Sequence, residues 1–190
     1  PSVLKVKIPH EMVIKLNEYV DKIINDNELS KNLDHGENLV GDVTQEFKLE
    51  KKIMQDTGWG NFLAQNVSKW IMQEMGKKIT KFNIIESWIV RQFQNEYNPV
   101  HLHSGHISGA GFLKVPSSFG KHVQEKQKKE YRGGNLQLVH GARMFLSHSV
   151  HNIVPKVGDF YFFPNYLMHV VYPFKDTNEE RRSISFNANI

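Results

Sequence analysis

Beyond residue 80 the sequence consists of short segments rich in β-branched and aromatic residues, separated by turn signals. Residues 82–93 form the longest segment, and residues 107–115 form another that stops at Pro116. Such side chains pack well on a pleated surface, so each segment predicts a strand. Further predicted strands lie at residues 100–103, 135–139, 159–163, 168–172 and 182–187. Seven or eight short strands at this spacing predict a sandwich or jelly roll.

The first 80 residues have a different pattern. Apolar residues recur three and four positions apart over residues 9–25 and again over residues 61–78, which predicts two amphipathic helices. Residues 38–43 are a candidate short strand, and His10 and His35 are predicted to face solvent. Because the helices all come early, we expect them to cover one face of one sheet.

The size and continuity of the chain indicate one domain. Its 190 residues are 39% hydrophobic and contain neither an internal repeat nor a linker-like stretch. We therefore expect a single domain over residues 1–190 that is mainly β with N-terminal helices. Residues 1–80 would form a helical support region, and residues 81–190 would form the jelly-roll core that carries the functional site.

Composition excludes several kinds of protein. The absence of cysteine rules out disulfides, thiolate metal sites and a cysteine nucleophile, and it suits a reducing cytosol. No apolar run approaches the roughly 20 residues of a membrane helix, and residues 1–10 lack the form of a signal peptide. We therefore expect a cytoplasmic protein without a membrane partner.

The net charge of +4 is modest, and its one basic run does not predict nucleic-acid binding. Residues 121–132 contain glutamates among the lysines, and only Tyr131 is available to stack on a base. This run is interpreted as a solvated loop. The wider segment over residues 117–134 is a candidate to close over a bound substrate.

Two histidines, His101 and His103, are the first candidates for a metal site. Residues two apart in a strand point to the same face, so both imidazoles would aim at one point. Imidazole is the commonest neutral metal ligand near physiological pH. His169 opens a later predicted strand and is the candidate third ligand. His148 and His151 are competing candidates that are interpreted as polar loop residues.

Alternation along the last predicted strand assigns its two faces. Ile184 and Phe186 should pack beneath the helices, so Arg181 and Ser183, which have the other parity, should face the barrel interior. An inward arginine is costly unless it meets an anion, and a guanidinium with a hydroxyl two residues away suits a carboxylate. The alternatives are an ion pair with a structural acid or a solvated strand start.

Two close imidazoles, a distant third and a basic strand residue are typical of a non-haem iron site with an anionic co-substrate. The order of the motifs resembles the iron(II)/2-oxoglutarate-dependent dioxygenases, and within them the prolyl-4-hydroxylase-like branch of phages and bacteria. The resemblance covers about Trp88 to Asn187. Its matching segments are His101-x-His103, residues 107–109, residues 158–164, residues 169–173 and residues 181–187, with a weaker match at residues 38–41.

This resemblance implies a double-stranded β-helix, a cupin-like jelly roll with helices packed on one sheet. His101, His103 and His169 would be the metal ligands at the catalytic centre. Arg181 would bind the far carboxylate of 2-oxoglutarate, with Ser183 as its hydroxyl partner. The implied cofactors are Fe(II), 2-oxoglutarate and O2. The implied reaction hydroxylates an unactivated C–H of a peptide, protein or small molecule, with a peptidyl proline as a candidate, and releases succinate and CO2.

The chain departs from the family at His103, where most members have Asp or Glu. The change removes a negative charge from the iron ligands and should weaken iron(II) binding or alter reactivity. Three neutral histidines also suit zinc, so a cupin-like zinc-binding domain without oxygenase activity is an alternative. A metal-dependent isomerase, or a dioxygenase without 2-oxoglutarate, would not need Arg181. A shifted alignment would make His103 the first ligand and Gly105 the missing acid, as in halogenating relatives.

Overall fold

The computed structural model describes residues 1–124, 126 and 129–190. The helices are α1 (His10–Ile24), α2 (Asn27–Asn32), α3 (Lys51–Asp56) and α4 (Trp59–Met75), with a 3-10 turn at Gly36–Asn38. The strands are β1 (Leu4–Lys7), β2 (Gln45–Lys48), β3 (Asn83–Gln92), β4 (Asn98–His101), β5 (Ile107–Lys114), β6 (Leu136–Val139), β7 (Val150–Ile153), β8 (Asp159–Pro164), β9 (Met168–Val171) and β10 (Arg181–Asn189). Within the described part of the chain, no helix combines the length and apolar character needed to cross a membrane.

Two antiparallel sheets build the jelly roll that the strand pattern predicts. The larger has the order β1-β8-β5-β10-β3-β2, and the smaller has the order β4-β9-β6-β7. Apolar side chains from both sheets share one buried core, which contains Phe112, Leu136, Leu138, Ile153, Tyr161, Phe163, Leu167 and Val171. Because strands from both sheets contribute to this core, the sheets pack face to face, as in a double-stranded β-helix.

The helices cover the outer face of the larger sheet and form a second core with it. Its fully buried members include Leu16, Val20, Trp59, Leu63, Val67, Phe160, Phe162, Ile184 and Phe186. The predicted alternation along β10 is therefore confirmed for its helix-facing side. Burying one such aromatic or aliphatic side chain contributes about 1.5–3 kcal/mol, so this interface holds the larger sheet in place.

Glycines in β5 allow the sheet and the helices to pack closely. A Cβ at Gly109 would lie 2.6 Å from ring atoms of both Phe160 and Phe186, which is closer than real Cβ contacts allow. The close approach of these two rings therefore requires glycine at this position. The rings that fill the space belong to β8 and β10.

The first half of the chain contributes two strands to the larger sheet that the sequence interpretation did not include. β1 pairs with β8 at one edge, and β2 pairs with β3 at the other. The predicted strand at residues 38–43 is wrong, because the chain makes a 3-10 turn at Gly36–Asn38 and only Asp42 bridges to Tyr97. The loop interpretation is also wrong for His151, which lies in β7 opposite Leu138.

Candidate metal centre

Three imidazoles converge where β4 meets β9. Pairing of these strands sets His101 directly opposite His169, with the ring centroids 4.2 Å apart. Nε2 of His103 lies 3.1 Å from Nε2 of His169. One ligand nitrogen from each of the three side chains lies within 4.8 Å of the others. In the described part of the chain, no other group of three or more potential metal-binding side chains lies this close together. No carboxylate belongs to the group.

A loop, rather than strand alternation, positions His103. β4 ends at His101, so the predicted strand over residues 100–103 is too long at its end. The backbone N–H of His103 donates to the carbonyl of Asn165 at 3.2 Å, and the amide of Asn165 donates to the carbonyl of His103 at 3.1 Å. Gly105 turns the chain with a φ of 93°, and a Cβ there would lie 2.9 Å from the carbonyl oxygen of Ala188.

Backbone carbonyls orient two of the imidazoles. Nδ1 of His101 lies 2.6 Å from the carbonyl oxygen of Pro99, and Nδ1 of His169 lies 3.0 Å from that of Leu167. An Nδ1–H that donates to a carbonyl leaves Nε2 unprotonated and free to bind a metal. The contact between His103 and His169 then requires His103 to donate its Nε2 proton in the metal-free protein. When the proton of His103 lies on Nδ1 instead, the Nε2 atoms of all three histidines can bind one cation.

Burial keeps these imidazoles neutral, which is the form that binds metals. Burial, followed by the neighbouring His169 and His101, lowers the pKa of His103 to about 3. The pKa of His169 falls to about 4, chiefly through burial and secondly through His101. Burial also lowers the pKa of His101, against a smaller opposing effect of the Pro99 carbonyl. The donor set therefore fits a divalent metal ion.

A buried cation, Arg181, lines the same cavity. Its side chain is 2% exposed, and its Nε donates to the carbonyl of Gly134 at 3.0 Å. The guanidinium lies 5.2 Å from the ring centroid of Phe112. None of the described carboxylates pairs with it, and burial lowers its pKa to about 9. An unpaired buried cation is costly, so this position suits the carboxylate of a bound ligand.

The neighbouring arginine has the structural role that was the alternative for Arg181. Arg182 donates to Glu180, which directly precedes β10, and to Asn17 and Asp21 of α1, at 2.7–3.0 Å. Ser183 resembles Arg181 instead, because it is buried and lines the cavity. The predicted inward parity of Arg181 and Ser183 is therefore seen in the structure.

The cavity that joins these groups has a volume of about 220 Å³ and extends to the edge strand β2. Its lining includes the three imidazoles, Arg181, Ser183, Trp88, Glu46 and Glu86. The prediction that His35 faces solvent is wrong, because it is buried with Nε2 2.9 Å from Oε2 of Glu86. Neither acid carried a sequence signal, since tertiary pairing alone brings β2 and β3 to this cavity.

Part of the loop that was predicted to close over a substrate lies outside the described residues. Glu125, Gln127 and Lys128 of the 117–134 segment belong to that part. The described end of the segment already contributes to the site, because the carbonyl of Gly134 accepts the hydrogen bond from Arg181. Closure of this loop therefore stays a prediction.

Facing sheets, a cluster of neutral imidazoles and a buried arginine are together the features expected of a jelly-roll oxygenase with a non-haem metal site. A family model described as "Putative 2OG-Fe(II) oxygenase" matches residues 86–187, which is more than half of the chain. The protein belongs to this 2OG-Fe(II) oxygenase family. A search of curated protein sequences gave no match.

Solved structures share the fold. A Pseudomonas putida prolyl-4-hydroxylase aligns with a TM-score of 0.65 and 14% identity over 97% of this chain and 91% of that chain. The viral collagen prolyl hydroxylase of Paramecium bursaria Chlorella virus-1 aligns with a TM-score of 0.59 and 14% identity, over 100% of this chain and 97% of that chain. HygX from Streptomyces hygroscopicus, with nickel, 2-oxoglutarate and hygromycin B bound, aligns with a TM-score of 0.61 and 12% identity. This alignment covers 97% of this chain and 81% of that chain.

Family membership confirms the resemblance that the motifs carried. The protein is a 2-oxoglutarate-dependent dioxygenase, with iron(II) as cofactor and 2-oxoglutarate and O2 as co-substrates. The cupin-like zinc-binding alternative is not favoured. The shifted alignment would leave out His101, which lies opposite His169 in the cluster.

Proposed function

We propose that the enzyme hydroxylates an unactivated carbon of a peptide, protein or small molecule, and that His101, His103 and His169 hold its iron. The observation that carries this proposal is the position of Arg181. It is a buried cation without a described carboxylate partner, in the cavity where three neutral imidazoles converge. A bound dicarboxylate would supply the missing anion while its other end reaches the metal.

Each group that lines the cavity would have a separate role in binding the co-substrate, holding iron or excluding water. The fork of Arg181 binds the far carboxylate of 2-oxoglutarate, and the hydroxyl of Ser183 donates to the same group. The three histidines hold iron from one side, and the iron supplies the oxygen-activating chemistry when it is bound. Apolar side chains of Phe112 and Leu136 line the cavity and limit the access of water.

A peptidyl proline is the leading candidate substrate. Two of the solved structures with this fold are prolyl hydroxylases, and they are aligned over nearly the whole of both chains. We also propose that residues 1–190 act as one oxygenase domain, because β1 and β2 belong to the same sheet as β10. A cytoplasmic location, expected from the cysteine-free sequence, is part of the same proposal.

Succinate formation tests the oxygenase, and a mass increase tests the substrate. With iron(II), 2-oxoglutarate and O2, the wild type should form succinate, and His169→Ala should not. Proline-containing peptides should gain the mass of one oxygen atom. Succinate without a peptide product would reject proline as the substrate. Failure to form succinate, combined with tight zinc binding, would reject the oxygenase assignment of these residues.

A further inference from the structure

The cavity has an acidic end on β2, two strands away from Arg181. In the larger sheet, Ser183 of β10 lies opposite Val90 of β3, and Val90 lies opposite Glu46 of β2. Residues directly opposite each other in antiparallel strands point to the same face. Glu46 therefore faces the cavity, whereas its neighbour Phe47 packs in the helix-side core.

Glu46 is a buried carboxylate without a partner. Its side chain is 3% exposed, and none of the described residues donates a hydrogen bond to it or forms an ion pair with it. The chain folds closely over it, because a Cβ at Gly41 would lie 3.0 Å from Oε1 of Glu46. Burial, and secondly the charge of Asp34, raises the pKa of Glu46 to about 7. Burying a carboxylate in this way is costly unless something compensates it.

The other acid of the cavity does not share this situation. One carboxylate oxygen of Glu86 lies 2.9 Å from Nε2 of His35, and the other accepts a hydrogen bond from the amide of Asn187 at 3.0 Å. Glu86 is thus satisfied within the protein. Glu46 alone of the two presents an unsatisfied acceptor to whatever enters the cavity.

We infer that Glu46 binds a cationic nitrogen group of the primary substrate, an ammonium or a guanidinium, while Arg181 binds the co-substrate. This inference rests on the proposed function, because it assigns a chemical feature to the substrate of the same site. The negative charge of Asp34 adds to the attraction for a cation. The two charged ends would orient two ligands of opposite charge in one cavity, and each would disfavour the other's ligand.

The test uses two probes of matched shape, n-butylguanidinium and the neutral n-butylurea. The chain has three tryptophans, and Trp88 lines the cavity. The indole N–H groups of Trp59 and Trp70 donate to serine hydroxyls elsewhere. The indole signals in a nitrogen-15 NMR spectrum of the zinc- and 2-oxoglutarate-loaded protein therefore provide one reporter and two internal references.

We expect n-butylguanidinium to shift the Trp88 signal saturably and to bind about tenfold more tightly than n-butylurea. Glu46→Gln should remove this preference, and Glu46→Ala should do the same if the glutamine variant is unstable. Glu74→Gln, a change at an exposed acid of α4, should keep the preference. Equal binding of the probes, no binding of either, or a preference that survives in Glu46→Gln would overturn the inference.

The two proposals fail separately in this design. A 2-oxoglutarate titration of the zinc-loaded protein reports the co-substrate site, and Glu46→Gln should not weaken that affinity. If the wild type does not bind 2-oxoglutarate, the proposed function is wrong. If the wild type binds 2-oxoglutarate but does not prefer n-butylguanidinium, only the assignment of Glu46 is wrong.

Discussion

Adjacent arginines on β10 have opposite energetic roles. Arg182 forms a buried ion pair with Glu180 and a second pair with the exposed Asp21, whereas Arg181 has no described carboxylate partner. The buried Glu180 also pairs with Arg91, so Arg182→Leu leaves it one cationic partner but removes several charge-assisted hydrogen bonds. This change should destabilise the protein by about 2–3 kcal/mol. Arg181→Leu removes an uncompensated cation, so its stability should lie within about 1 kcal/mol of the wild type or above it. Urea unfolding measures the stability of both variants. A larger loss of stability in Arg181→Leu than in Arg182→Leu would contradict these roles.

The lowered pKa of His103 makes the metal-free protein sensitive to acid. An unfolded histidine has a pKa of 6.5, whereas that of His103 is about 3. Between these values the unfolded state binds more protons than the native state, so stability falls as the pH falls. Between about pH 7 and pH 5, His103→Asn should lose about 1–2 kcal/mol less than the wild type. Urea unfolding at both pH values measures this, and equal losses in the two proteins would show that His103 is not held neutral.

At the scale of elements, the loop after β4 must be held by β8–β9 for the cluster to form. Asn165, in the turn between these strands, exchanges two hydrogen bonds with the backbone of His103. Asn165→Ala removes the side-chain hydrogen bond and keeps the backbone one. It should loosen this loop and weaken metal binding by about 10-fold, as loss of a group that orients a ligand commonly does. Competition with a metal chelator measures the affinity. Asn152→Ala, a change in β7, is the matched control, and an unchanged affinity in Asn165→Ala would contradict the argument.

Local pattern predicted the elements that carry strong alternation and missed those that depend on partners. The parity of Ile184 and Phe186 is sufficient to orient β10, and with it Arg181. β1 and β2 have only four residues each and are stable as strands because β8 and β3 pair with them. The position of His103 likewise depends on Asn165, which is 62 residues further along the chain.

The candidate site shows the same limit. Histidine spacing and a basic strand residue were visible in the sequence, because metal and carboxylate binding require particular residue types. The burial of His35 and Glu46 was not visible, since it arises when β2 pairs with β3 and the 3-10 turn packs against β2. Such contacts are properties of the assembled sheet and leave no local periodicity.

At the scale of the whole molecule, one cavity between two sheets collects charges of both signs. The smaller sheet brings His101 and His169 together, and the larger sheet supplies Arg181 and Glu46. The helix-side core packs against the outer face of the larger sheet, which holds Arg181 and Glu46 in position. One barrel thus carries the proposed metal ligands, the proposed carboxylate-binding arginine and an acidic end.

The most direct measurement is an anaerobic titration of the protein with iron(II) and 2-oxoglutarate, followed by visible absorption. The wild type should develop a charge-transfer band that saturates, because 2-oxoglutarate would chelate iron held by the three proposed histidine ligands. Arg181→Ala should lose the band at the same concentrations, since the far carboxylate loses its buried partner. Arg143→Ala, a change at an exposed arginine, should retain it. A wild type without the band, or a band that persists unchanged in Arg181→Ala, would contradict the account.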